Sequence, residues 1–182
     1  MNTPPNLEFQ KAYDFYRKFI LEHSLEKQAV YEEYGFPLQG SVGSRDWEVF
    51  AAILLSDKKK PGDGSDLERH EVKSATEKGS FEYQYHRNTG QQKLQEDQSI
   101  DHVFVWYSSD YSDVQVWLIE KTNKELQETF DSWEPELILN YATEEKQRFR
   151  KALSRAFIKR NGFCILSIQN GQLQSNPLVS EL

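Results

Sequence analysis

Residues 101 to 120, "DHVFVWYSSDYSDVQVWLIE", constrain the fold more than any other stretch. DHVFVWY and DVQVWLIE are both strand-like, dense in valine and aromatic residues. The turn formers SSDYS lie between them, so the pair reads as an antiparallel hairpin. Its Trp and Tyr residues alternate at strand spacing and read as core and sheet face, not as platforms for stacked bases. Upstream, residues 6 to 34 carry helical spacing in Ala12, Phe15, Tyr16, Phe19 and Ile20. Leu25, Ala29 and Val30 continue it after Ser24, as a second short helix. "GFPLQGSVGSR" breaks the pattern. Ser44 then precedes "RDWEVFAAILL", where Trp47, Phe50, Ala51 and Leu54 share one face of a helix. "LERHEVKSA" suits a short strand, and Phe81, Tyr83 and Tyr85 alternate as a second. Residues 88 to 99 are polar, a loop or short helix.

Beyond the hairpin, Thr122 and Glu125 form a capping-box pattern at a helix start. Residues 131 to 140 read as irregular. Thr143 is expected to cap a long helix over 144 to 160, ending at Asn161-Gly162. "FCILSIQN" is a last strand, and the tail from about residue 171 is expected to be loose. No repeat or linker interrupts this order. It predicts one α/β domain over residues 1–182, with a mixed, mostly antiparallel central sheet flanked by helices.

Composition narrows the class. The 182 residues are 37% hydrophobic and 28% charged, as in a globular chain. No apolar run reaches the roughly 18 residues of a membrane helix. "MNTPPNLEFQ" lacks a basic start and apolar stretch, and the one cysteine, Cys164, reads as a small core residue. A cytoplasmic location is expected. The net charge of -7 argues against a nucleic-acid partner on average, but charge acts locally. Lysines 58 to 60 form one positive spot. On the expected 144 to 160 helix, Arg148, Lys151, Arg155 and Lys159 form a basic stripe beside Phe149, Leu153, Ala156 and Phe157, an edge suited to a phosphate backbone.

The chemistry concentrates in "GDGSDLERHEVKSA", residues 62 to 75. In a strand Glu71 and Lys73 point to one face and Val72 to the other. Asp66 sits just before the strand and reaches the same side if the chain turns there. Two carboxylates can hold a hard divalent ion, and an ammonium group beside them offsets the charge of a phosphate or orients water. Glu68 reads as a flanking surface residue, and His70 points away from the site. No phosphate-cradling glycine loop, zinc ligand set or serine elbow is present.

This stretch resembles the active-site signature of the PD-(D/E)XK nuclease superfamily, above all small type II restriction endonucleases. The resemblance covers about fourteen residues and implies a restriction-endonuclease-like fold with a Mg2+ centre. It places the first acid at Asp66, or alternatively at Asp63, the second at Glu71 and the lysine at Lys73. Ser65 stands where a proline often precedes the first acid, and the spacing from Asp66 to Glu71 is short. The resemblance further implies an acid from an early helix: Glu48, or less favourably Asp46. It implies DNA contacts from the region after the catalytic strand, where His86 and Arg87 stand, and "RNTGQQKLQ" over 87 to 95 is a candidate recognition loop. The implied partners are double-stranded DNA, a second copy of the chain in a twofold dimer, and a separate cognate methyltransferase. Three alternatives stay open: a repair or junction-resolving nuclease of this fold, a non-catalytic DNA- or protein-binding domain, and an unrelated α/β domain in which the trio is chance.

Overall fold

The structure, a computed structural model, describes residues 7–62, 64–143 and 148–174. Its elements are α1 (Phe9–Phe15), a π-helical segment (Tyr16–Glu22), α2 (His23–Glu33), α3 (Ser44–Leu54), β1 (His70–Thr76), β2 (Phe81–His86), α4 (Gly90–Gln98), β3 (Asp101–Tyr107), β4 (Val114–Ile119), α5 (Lys124–Thr143), β5 (Arg148–Leu153), α6 (Arg155–Asn161), β6 (Phe163–Gln169) and β7 (Gln172–Leu173). One sheet runs β1-β3-β4-β6-β7, and β2 and β5 form a separate pair. β1 lies parallel to β3, while every other pairing is antiparallel. The expected α/β architecture, a mixed and mostly antiparallel sheet flanked by helices, is the observed one. Among the described residues no helix is long and apolar enough to cross a membrane.

Strand alternation gives the large sheet two apolar faces. Val72, Val103, Val105, Val116 and Ile168 face a core built with Trp47, Phe50, Tyr16 and Ile20. Phe104 and Ile119 face a second core with Leu126, Phe130, Trp133 and the buried side of β2. Both sheet faces are thus covered, the condition a parallel pair such as β1–β3 requires.

Four stretches fold differently from their sequence reading. The first helical region is continuous from residue 9 to 33 through its π segment, with no second helix starting at Ser24. Ser24 is buried and donates its hydroxyl to the Ile20 carbonyl, so it bonds within the helix. Only Ala12, Tyr13, Tyr16, Ile20 and Ser24 are buried there, and Phe19, Leu25 and Val30 are exposed. Residues 131 to 140 are helical within α5 despite Pro135. Leu126, Phe130, Trp133 and Leu137 all bury at helical spacing, which outweighs the hydrogen bond the proline forfeits. Asn123, not Thr122, caps this helix, its side chain accepting the Leu126 N–H at 2.9 Å.

The largest correction concerns 144 to 160. Residues 148 to 153 form strand β5, Ser154 caps the next turn through the Phe157 N–H, and only Arg155–Asn161 is helical. Phe149 and Leu153, four apart, share a face in a strand as well as in a helix. Their partners across β2, Tyr85 and Phe81, select the strand. The basic helical stripe of Arg148, Lys151 and Arg155 therefore does not exist. The tail also departs from expectation, since Gln172–Leu173 pair with β6. Cys164 is half-buried, not a core residue.

Tyr111 in the β3–β4 turn fixes the approach to α3. Its buried hydroxyl accepts the Gly40 N–H at 2.8 Å and the Val42 N–H at 3.3 Å, and donates to the Leu38 carbonyl. Tyr111→Phe leaves two amides without that acceptor. It is expected to lower the unfolding free energy by about 1–3 kcal/mol. The reading is a reduced urea midpoint at unchanged slope, and an unchanged midpoint contradicts this role.

Candidate active site

The chain leaves α3 through Ser56, at φ 48°, and doubles back before β1. A bridge between Lys59 and Leu67 and the hydrogen bond from Glu68 N–H to the Lys58 carbonyl hold the returning segment. Gly64 sits in this return at φ +119°, a backbone conformation that strains any residue with a Cβ, and the Glu96 carboxylate lies against it. Asp57 secures the base of the loop. It accepts the N–H groups of Lys58 (2.8 Å) and Arg69 (3.1 Å) and pairs with His70 Nδ1 at 2.7 Å. Burial pushes its carboxyl up, but these bonds hold it below the usual range. His70 thus faces away from the β1 pair, as expected.

The doubled-back loop delivers Asp66 to Glu71. Asp66 N–H donates to Glu71 Oε2 at 3.1 Å, and Asp66 Oδ2 accepts the Val72 N–H at 3.1 Å. Val72 enters the first core, so Glu71 and Lys73 share the opposite face. Glu71 is only 1% exposed. Lys73 Nζ lies 2.5 Å from Oε1 and Lys93 Nζ 2.7 Å from Oε2. Burial pushes Glu71 up, but Lys73 and then Lys93 overcome it and bring the carboxyl down to about 2. Asp66 goes the other way. Burial and then the Glu71 charge raise it to about 6, Glu48 adding to the rise and Lys73 opposing it.

Lys93 is absent from the expected site. It projects from α4, within the segment read as a loop or short helix, and also binds Asp97 Oδ1 at 2.8 Å. Tyr85 donates its hydroxyl to Asp97 Oδ2 at 3.0 Å. Burial, followed by the Glu71 charge, raises Asp97 to about 6, with Lys93 opposing. Beneath them His102 is wholly buried, within 2.8 Å of the Tyr83 hydroxyl and 2.7 Å of the Asp97 carbonyl. Burial is the leading cause that lowers it to about 4. Lys73 Nζ also lies 5.0 Å from the centre of the Tyr83 ring. The sequence carried one signal for this pair: Lys93 and Asp97 stand four apart in a stretch able to form a helix.

Glu48 lines a cleft of about 540 Å³ together with Asp66, and pairs with Arg45 at 3.4 Å. Asp46 accepts the Gly43 N–H at 3.2 Å and serves the start of α3. Asp63 lies outside the described residues. Glu68 is exposed, as expected. His86 and Arg87 are exposed at the end of β2, and His86 lines a second cleft with Lys93. Arg148 is paired in register with His86 and donates to Gln84 at 3.3 Å, so it shares the outer face of the β2–β5 pair. Lys151 binds Glu136 at 2.6 Å. The Arg155 guanidinium lies 3.6 Å from the centre of the Trp106 ring. These three cations thus occupy separate places.

Among the described residues no group of three or more His, Cys, Asp or Glu side chains is gathered closely enough to hold a metal ion. The chain matches no family model and no curated protein.

The acids give opposite pH effects. A carboxyl raised in the folded state is protonated there before it is in the unfolded chain, so folding gains stability as pH falls through that interval. For Asp66 and Asp97 the interval lies between about 6 and the ordinary 3.8. Glu71, brought down to about 2 from 4.5, contributes stability above 4.5 that is lost as pH falls towards 2. Asp66→Asn removes the first effect at its position. The stability of the wild type relative to this variant is expected to rise between pH 7 and 4 in urea unfolding, and a flat difference contradicts the assignment.

Proposed function

We propose that this chain is a magnesium-dependent endonuclease that hydrolyses double-stranded DNA at a short specific site, a type II restriction enzyme. The observation that carries the reading is the junction of Asp66, Glu71 and Lys73 at one end of β1, the last made through a 2.5 Å ion pair. Its charge balance supports a cation. Three carboxylates, Asp66, Glu71 and Asp97, meet only two ammonium groups, Lys73 and Lys93. Burial first and the Glu71 charge second raise Asp66, and a divalent ion would relieve the second of these.

The donors are carboxylate oxygens, the kind that magnesium prefers. Asp66 and Glu71 would hold the ion, with Glu48 contributing from α3. Both Glu71 oxygens already bind lysines, but Lys93 keeps Asp97 as a partner if Oε2 is taken. The bound ion supplies positive charge against the scissile phosphate. Lys73 orients the attacking water and offsets charge on the phosphate. Water oxygen bonds to phosphorus, the bond to the 3'-oxygen breaks, and the ends carry 5'-phosphate and 3'-hydroxyl. His86, Arg87 and Arg148 offer contacts to DNA from the outer face of β2–β5. Cutting both strands requires two centres, hence a twofold dimer, and protection of the host site requires a separate methyltransferase.

Digestion of a plasmid of known sequence tests the reading. Discrete fragments are expected with magnesium and none with calcium or chelator. Lys73→Ala should slow cleavage by at least about 100-fold while DNA binding persists. Cleavage undiminished in this variant contradicts the assignment. Random nicking points instead to a repair-type nuclease, and binding without cleavage to a non-catalytic domain.

A further inference from the structure

The geometry points to a nucleotide subsite in the cleft between α3 and the stretches 56–59 and 66–67, which takes one unstacked nucleotide beside the Asp66 and Glu48 carboxylates. This deepens the nuclease reading and rests on it for its biological meaning.

The cleft has an apolar wall at the margin of the first core: Leu67 belongs to that core, Ala52 and Ile53 pack against it from one side, and Val49 is exposed. Trp47, Phe50, Ala51 and Leu54 turn α3 into the core. Val49, Ala52, Ile53 and Ser56 form a second stripe at i, i+3, i+4 and i+7, and it faces the cleft, where Leu67 stands in the lining with them. Val49 is 38% exposed. A volume of about 540 Å³ falls within the roughly 300–1,000 Å³ of small-molecule sites.

The rim charges select the occupant. Glu8 pairs with Lys11 at 2.8 Å, Glu48 with Arg45 at 3.4 Å, and Asp57 with Arg69 and His70. Lys58 and Lys59 are exposed and have no acid within ion-pair distance among the described residues. The uncompensated charge at the 58–59 end of the rim is therefore positive, while Asp66, which lines the other end and forms no ion pair among the described residues, leaves that end negative. An apolar wall beside two free ammonium groups suits a planar base joined to a phosphate. A free phosphate would leave the wall uncovered, and an aliphatic chain would leave the lysines unused. A base within an intact duplex stack cannot enter such a cleft, so the nucleotide must be unstacked.

Metal-free binding of 2'-deoxyadenosine 5'-monophosphate to the full chain, followed by amide NMR shifts, tests the proposal. Shifts are expected at residues 49, 52, 53, 58, 59 and 67. Ile53→Trp, which fills the cleft, should weaken binding at least tenfold, and Lys58→Ala with Lys59→Ala at least fivefold. Val49→Trp, at an exposed position, repeats the filling test should Ile53→Trp fail to fold. Equal affinity for deoxyadenosine and its monophosphate overturns the proposal, as do shifts confined to other surfaces. A concentration-dependent mass increase abolished by Ile53→Trp also overturns it, because the cleft would then be a contact between copies. Cleavage of plasmid by a chain that does not bind the monophosphate sinks the subsite and leaves the nuclease reading intact. Binding by a chain that cuts no DNA leaves the subsite intact and sinks that reading.

Discussion

A buried carboxylate sets the conditions for everything around β1. Ionised Glu71 in an apolar interior costs several kcal/mol unless it is paired on both oxygens. The fold meets this with Lys73 from the same strand and Lys93 from α4. Neither lysine alone covers the group, because each reaches a different oxygen. The carboxylate therefore ties α4 to β1, and Asp97 extends the tie towards Tyr85 on β2. Removing one partner would leave charge uncompensated inside the protein, which is costlier than the absence of the whole pair.

The same arrangement holds two acids in opposite states. Glu71 receives the ammonium groups and stays ionised to low pH. Asp66, one turn of loop away, receives only a backbone N–H at Oδ2 and feels the charges of Glu71 and Glu48. Burial acts on both, so the difference comes from who the neighbours are. A site with one secure anion and one reluctant anion is short of positive charge at its open side. That is where Asp66 meets the cleft and Glu48.

The central sheet was legible because its signal is local. The hairpin of residues 101 to 120 carries strand residues, turn residues and strand residues in order, and it folds as written. Glu71 and Lys73 were legible for the same reason, since period-two alternation alone puts them on one face. What failed depended on partners distant in sequence. Phe149 and Leu153 fit a helix or a strand until Tyr85 and Phe81 decide, and the basic stripe vanished with the helix. Residues 131 to 140 were obscured by Pro135, whose cost is outweighed by buried Trp133 and Leu137. Lys93 was hidden by a different circumstance. Its partner Glu71 lies 22 positions away, and only the packing of α4 against α5 and β2 brings them together.

The central claim is that Asp66 and Glu71 form a cation site whose surplus negative charge is its driving force. Crystals soaked in manganese, examined by anomalous scattering, test it most directly. The account predicts a peak bonded to oxygens of both Asp66 and Glu71, with Lys93 withdrawn to Asp97. Saturating manganese with no peak there, and Glu71 still clasped by both lysines, would contradict it.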